Sequence, residues 1–288
     1  MKRLFCAFAA WVLLVGLTGP AQAQYTYTAL DVPGATATYG YGINDAGQIV
    51  GIYRDDVGIY HGILWDVDGS YTTLDVPGAI QTFAFGINNA GQIVGVNDGA
   101  GGNHGFLRDV DGSYTTLDVP GAIETEAYGI NASGQIVGEY VDVGFGGHGF
   151  LLDVDGTYTT IDVPGATDSL AQGVNASGQI VGVYFDMDAT AHGFLLDVAG
   201  SYTTLDVPGA VLTWPLGIND AGQIVGMYRN DPAGANHAFV RDVDGSYTML
   251  DVPGAYQTVA YGIDASGQIV GVYVDAGGGH GFLATPGG

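Results

Sequence analysis

Six histidines recur along this chain, one in each of six related segments: His61, His104, His148, His192, His237 and His280. An acidic residue stands five or six positions ahead of each, namely Asp55, Asp98, Asp142, Asp186, Asp231 and Asp275. A carboxylate bonded to one ring nitrogen fixes the tautomer and orientation of an imidazole, so each pair has the makings of a structural or a catalytic unit. Six histidines in register also raise the question of a shared metal. Each opens the third strand of its segment, about 10 Å farther from a common axis than the first strand at ~4.8 Å per strand. Zinc bonds of about 2 Å do not span such a gap. The six pairs are therefore read as structural hydrogen bonds, copied because the unit is copied.

The other residues with chemical potential are those at which near-identical copies differ. One first-strand position reads Ala37, Gln81, Glu124, Asp168, Leu212 and Gln257. Two residues on, the copies read Tyr39, Phe83, Glu126, Leu170, Trp214 and Val259, and two further on Tyr41, Phe85, Tyr128, Gln172, Leu216 and Tyr261. Alternate strand positions share a face, so these side chains belong to one side of the strand. Tyr39, Phe83, Glu124, Glu126, Asp168 and Trp214 form the candidate ligand site, with three carboxylates as acceptors and three aromatic surfaces. Two carboxylates whose environments separate their pKa values would instead act as acid and base. No lysine follows Lys2, so the remaining chain offers no lysine as a counter-ion for a buried carboxylate and no phosphate-cradling glycine loop with its lysine.

These side chains sit on a repeat. Asp-Val-Pro-Gly-Ala begins at Asp31, Asp75, Asp118, Asp162, Asp206 and Asp251, a period of about 44 residues of the kind that marks repeat architectures. Within a unit, short β-prone runs are joined by two turns. Asn44-Asp45-Ala46-Gly47 suits a type I turn closed by a left-handed glycine. Asp66-Val67-Asp68-Gly69 is given the same turn, because the fourth copy has Ala199 before Gly200 and alanine is costly at positive φ. Val76-Pro77-Gly78-Ala79 then breaks the sheet. Four antiparallel strands per unit and no helix predict an all-β six-bladed β-propeller, with a β-solenoid as the runner-up. Ring closure favours the propeller. The segment Tyr27–Asp31 reads as a fourth strand with no preceding three, and His280–Leu283 as a third strand with no fourth, so the N-terminal strand is expected to complete the last blade.

Residues 1–23 read as a signal peptide, with Lys2 and Arg3 ahead of an apolar run and Ala21-Gln22-Ala23 as a cleavage site. Residues 24–288 are then the propeller. Cys6 is the single cysteine and lies in the leader, which excludes disulfides and thiol chemistry thereafter. Four arginines face thirty acidic residues in the remainder, a balance that repels phosphate backbones and anionic headgroups. Neither nucleic acid nor membrane is expected as a partner. The acidic turns invite a cation such as calcium, but Ala199 breaks their pattern, and no cofactor is expected. Asn131-Ala132-Ser133 and Asn175-Ala176-Ser177 match a glycosylation sequon, and the turn accounts for the same residues.

The run Gly-Ile-Asn-x-x-Gly-Gln-Ile-Val-Gly followed by His-Ala-Phe, as at His237-Ala238-Phe239, resembles the bacterial extracellular repeat of the HAF family. His-Gly-Phe stands at His104, His148, His192 and His280, and His61-Gly62-Ile63 departs further. The resemblance covers residues 25–288. It implies a repeat scaffold in the periplasm or outside the cell, and it brings no catalytic residues with it. The expectation is an exported, monomeric, non-catalytic scaffold or binding propeller for a small molecule, glycan or protein. A lectin and a hydrolase or lyase using channel-mouth carboxylates are the alternatives.

Overall fold

The structure, a computed structural model, describes residues 25–99 and 101–287. The leader at 1–23 lies outside them. The chain opens with strand β1 (Tyr25–Leu30) and then lays down six blades. Blade 1 is β2 (Ala37–Ile43), β3 (Ile49–Arg54), β4 (Tyr60–Trp65) and β5 (Tyr71–Leu74). Blade 2 is β6 (Gln81–Ile87), β7 (Ile93–Gly99), β8 (Gly102–Arg108) and β9 (Tyr114–Leu117). Blade 3 is β10 (Glu124–Ile130), β11 (Ile136–Val141), β12 (Gly147–Leu152) and β13 (Tyr158–Ile161). Blade 4 is β14 (Asp168–Val174), β15 (Ile180–Phe185), β16 (Ala191–Leu196) and β17 (Tyr202–Leu205). Blade 5 is β18 (Leu212–Ile218), β19 (Ile224–Arg229), β20 (His237–Arg241) and β21 (Tyr247–Met249). Blade 6 is β22 (Gln257–Ile263), β23 (Ile269–Asp275) and β24 (Gly278–Pro286), completed by β1. The protein is a six-bladed β-propeller of four-stranded antiparallel blades. Its ring closes through β1 against β24, in register from Tyr25 opposite Pro286 to Leu30 opposite Gly281.

The turns follow their residues. Gly47 N–H donates to the Asn44 carbonyl at 2.9 Å with φ +82°, and Gly69 N–H to the Asp66 carbonyl at 2.9 Å with φ +84°. Residues Asn97–Asn103 are mostly strand, because β7 and β8 pair as far as Gly99 opposite Gly102.

Each first strand carries a one-residue bulge. In β2 the register steps between Gly40 and Gly42, leaving Tyr41 unpaired, and the same step leaves Phe85, Tyr128, Gln172, Leu216 and Tyr261 unpaired. Bulges sharpen twist and re-aim side chains. Here the bulge sends Tyr41 to the axis and turns Ile43 back into the core between blades, beside Ile49, Ile63 and Trp65. The glycine after the bulge is required by crowding: a Cβ on Gly42 would stand 2.7 Å from the Phe85 carbonyl oxygen of the next blade. The apolar layers between blades are anchored by Phe106, Phe150, Phe194, Phe239 and Phe282, all essentially inaccessible to solvent.

Two polar ties lock blade to blade. The Asn44 side chain donates from Nδ2 to the Asn88 carbonyl at 3.2 Å, and Asn88, Asn131, Asn175 and Asn219 repeat the bond to the next blade in turn. In the sixth blade Asp264 occupies this place and has no N–H to give. Buried Asn131 and Asn175, at 4% and 2% exposure, also leave no room for a glycan. The second tie is a hydroxyl: Thr38 Oγ1 accepts from Val32 N–H at 3.1 Å, and each Asp-Val-Pro-Gly-Ala link is held the same way.

Two stability outcomes follow. Removing residues 25–32 takes away the β1 ladder and uncovers the β24 edge, so the melting temperature should fall by about 10 °C or more for a chain of this size. A truncated chain that melts like the parent contradicts the closure. Asp264→Asn supplies the sixth axial donor, and Asn175 with Ser177 and Gln179 shows that the same local frame accepts the amide. One added buried hydrogen bond should stabilise by about 1 kcal/mol, raising the melting temperature by a few degrees in thermal unfolding.

Candidate ligand site in the central channel

A cavity of about 480 Å³ occupies the channel. Its wall is built from the bulge residues Tyr41, Phe85, Tyr128, Gln172, Leu216 and Tyr261, joined by Leu170, Trp214 and Val259 from the same strands. Met227 and Glu139 reach in from the second strands of blades 5 and 3. On one side the aromatic rings form a continuous arc. Tyr261, Tyr41, Phe85 and Tyr128 meet edge to face in succession, with centroids 4.7, 5.0 and 5.5 Å apart. Edge-to-face contacts are a favoured aromatic geometry, so the arc is a stable wall. A collar of Ile43, Ile87, Ile130, Val174, Ile218 and Ile263 separates this cavity from a shallow bowl of about 100 Å³ at the asparagine end.

The structure divides the six residues expected to form the site. Trp214 lines the cavity. The other five are half-buried around the first-strand starts and lean on the third strand of the preceding blade. The Tyr39 ring lies so close to Gly279 that a Cβ there would stand 2.9 Å from its hydroxyl, and Phe83 packs on Tyr60 at 5.5 Å. Asp168 Oδ1 accepts from Gly147 N–H at 3.1 Å, and a Cβ on Gly102 would stand 3.7 Å from Glu124 Cγ. Glu126 accepts from Asn103 Nδ2 at 2.7 Å and from the Tyr128 hydroxyl at 2.6 Å. It is thus joined to the cavity through a wall residue.

Glu139 is the functional candidate that first-strand comparison missed. It stands directly across the ladder from Glu126. The five other blades put Ile52, Val96, Val183, Met227 and Val272 at its position. A single carboxylate among five aliphatic residues was the available signal, and it lay on the second strand. Burial is the main cause that pushes the Glu139 carboxyl up to about 7, with the charge of Glu126 adding to it and Glu124 and Asp168 contributing. The Tyr128 hydroxyl, bonded to Glu126, is likewise pushed well up by burial and by Glu139 and Glu126. A second oddity sits in the wall. Trp214 Nε1 is buried with no hydrogen-bond partner, the one such side-chain atom among the described residues.

The histidines lie elsewhere, and their partners differ from expectation. Every His Nδ1 meets the aspartate of an Asp-Val-Pro-Gly-Ala link: His61 with Asp75, His104 with Asp118, His148 with Asp162, His192 with Asp206, His237 with Asp251 and His280 with Asp31, at 2.7–3.1 Å. The loop aspartates take the second nitrogen at longer range in four copies, as for Asp55 with His61, Asp142 with His148, Asp186 with His192 and Asp275 with His280, at 3.4–3.7 Å. Asp98 with His104 and Asp231 with His237 form no such pair among the described residues. Asp98 is held in the β7–β8 ladder opposite Asn103, and Asp231 instead caps the Ala233 N–H across Pro232. Burial alone would lower the His192 pKa, but the bonds and charges of Asp206 and Asp186 outweigh it and raise the value. The imidazoles therefore pin third strands to links. Among the described residues no group of three or more His, Cys, Asp or Glu is placed to hold a metal ion.

Fold and site together define a six-bladed propeller whose axial cavity departs from the symmetry of its backbone. No protein-family model matches the chain, and no curated relative matches it. Among solved structures it is similar to a gluconolactonase from Xanthomonas campestris, at 15% identity over 92% of this chain and 91% of that one, TM-score 0.57. It is also similar to virginiamycin B lyase from Staphylococcus aureus, at 14% identity over 90% and 99%, TM-score 0.52. The Aleuria aurantia lectin matches at 14% identity over 87% and 96%, TM-score 0.52. At such identities the likeness is one of fold.

The raised carboxyl gives a stability prediction with a defined sign. A carboxyl raised in the folded state costs stability as pH rises from its ordinary range near 4.5 through about 7. Glu139→Gln should therefore match the parent near pH 4.5 and exceed it increasingly toward pH 8, by up to about 3 kcal/mol. Denaturant titrations at both pH values check this, and a difference that does not change with pH contradicts the burial of Glu139.

Proposed function

We propose that this chain is an exported, non-catalytic propeller of the HAF-repeat type that binds a small organic molecule in its axial cavity. One observation carries the reading. Six blades of nearly identical backbone present six unlike walls to a cavity of about 480 Å³, within the size range of small-molecule pockets. The leader read at 1–23 and the repeat resemblance support export. The lectin alternative is weakened because Trp65, one of two tryptophans after the leader, is 7% exposed in a blade core and offers no platform. The cross-strand Glu126 and Glu139 favour one second reading, acid–base catalysis, since two carboxyls in unlike settings can divide those roles. A screen against lactones and glycans with the parent, Glu126→Gln and Glu139→Gln tests it.

The cavity reading is tested by native mass spectrometry of protein purified without denaturation from the cells that export it. A bound small molecule is expected in the parent and should be lost in Gln172→Trp/Leu216→Trp, which sets two further indoles across the cavity from neighbouring blades. An adduct that persists in that double variant, or no adduct in the parent, contradicts the reading.

A further inference from the structure

The one charged side chain among the described residues of the cavity wall is an acid, and the charge bonded to the wall from behind is another. Glu139 is in the wall, Glu126 is bonded to the wall residue Tyr128, and Glu124 and Asp168 add their fields. Among the described residues no arginine lines the cavity. Arg54 bonds the Gly58 carbonyl and lies over Tyr60, Arg229 bonds Asn236, Arg241 lies over Tyr247, and Arg108 stands beside Tyr114 and Asp111. A carboxylate buried without a cation is costly. The five aliphatic counterparts of Glu139 show that the fold does not need an acid there. The remaining wall is the aromatic arc, and aromatic faces attract cations. A neutral apolar guest would leave the acid unanswered.

We propose that the ligand of this cavity is an organic ammonium ion, an inference that rests on the cavity being the binding site. The ammonium centre sits against the Tyr41–Phe85–Tyr128 arc with Glu139 as counter-ion. Glu126, held by Asn103 and Tyr128, reinforces the field from behind. The groups facing Glu139 are Glu124, Glu126 and Tyr128 from β10 and Asp168 from β14; the Tyr128 hydroxyl is a hydrogen-bonding neighbour of the carboxylate, and none of the four is a cation that would compete with the ligand.

Choline is the probe, and 3,3-dimethylbutan-1-ol, with carbon in place of the ammonium nitrogen, is its neutral counterpart. Isothermal titration calorimetry at pH 8 on the chain from residue 24 should show choline bound about ten-fold or more tightly than the alcohol. The preference should shrink at pH 6, where Glu139 carries its proton, and should be largely lost at both pH values in Glu139→Gln. Glu126→Gln should weaken it to a lesser degree. Unchanged circular dichroism and melting show that each variant is folded. Equal binding of the two probes, no binding of choline, or a choline preference untouched by both glutamine variants overturns the ammonium assignment and leaves the cavity reading to its own test. Choline bound as tightly by Gln172→Trp/Leu216→Trp places the site outside the cavity and overturns both.

Discussion

A side-chain amide in each of five blades holds the centre of this propeller together. The Asn44 amide uses all four of its hydrogen-bonding positions: Nδ2 donates to Gln48 Oε1 and to the Asn88 carbonyl, and Oδ1 accepts from the Ala46 and Gln48 N–H groups. A buried amide satisfied in this way fixes the hairpin of its own blade and the distance to the next in a single step. With the bulge and its glycine pressed against the neighbouring carbonyl, it sets the inner diameter of the ring. The seam between blades 6 and 1 lacks the amide and is bridged by Ala265 N–H donating to Asp45 Oδ1 at 2.9 Å, a bond that Ala176 N–H and Asp220 Oδ1 also form beside the amide at the seam between blades 4 and 5.

Because backbone and asparagine contacts define the ring, the bulge side chains are released from structural duty. They project into the channel, where any side chain of suitable size is tolerated, and the six copies have used that freedom differently. Four became an aromatic arc, one an amide and one an aliphatic residue. Blade 3 went further and set a carboxylate on each of two paired strands. This costs stability near neutral pH, and the cost has no structural return that the fold reveals. The histidines illustrate the opposite case. They are the residues most suggestive of chemistry, and all six are spent on fastening third strands to links.

Most of the architecture was legible because it is written six times. The period, the two turn types and the unpaired end strands led directly to blade number and closure. The turn at Ala199 separated two hairpin geometries because one copy differs. What stayed hidden were interactions between repeats, which no single unit displays. The Asn44 class reads as an ordinary turn residue, and its bond to the next blade has no local signature. Thr38 reads as a small residue on the far face, whereas its hydroxyl holds the preceding link. The aspartate that binds each histidine lies fourteen residues downstream, or at the other end of the chain for His280, so proximity in sequence favoured the loop aspartate instead. The bulge broke the alternation on which the face assignment relied. It moved Tyr41 and its equivalents to the centre of the site and left Tyr39, Phe83, Glu124 and Asp168 against neighbouring blades. Glu139 was missed because only first strands were compared, and the same comparison on second strands singles it out.

The central claim is that the asymmetry of the channel wall exists to hold a molecule. A crystallographic map of protein purified gently from its native cells tests it most directly. The account predicts continuous non-water density inside the arc of Tyr41, Phe85 and Tyr128, within bonding distance of Glu139. A channel holding only ordered water, with ligand density confined to the outer faces of the blades, would contradict it.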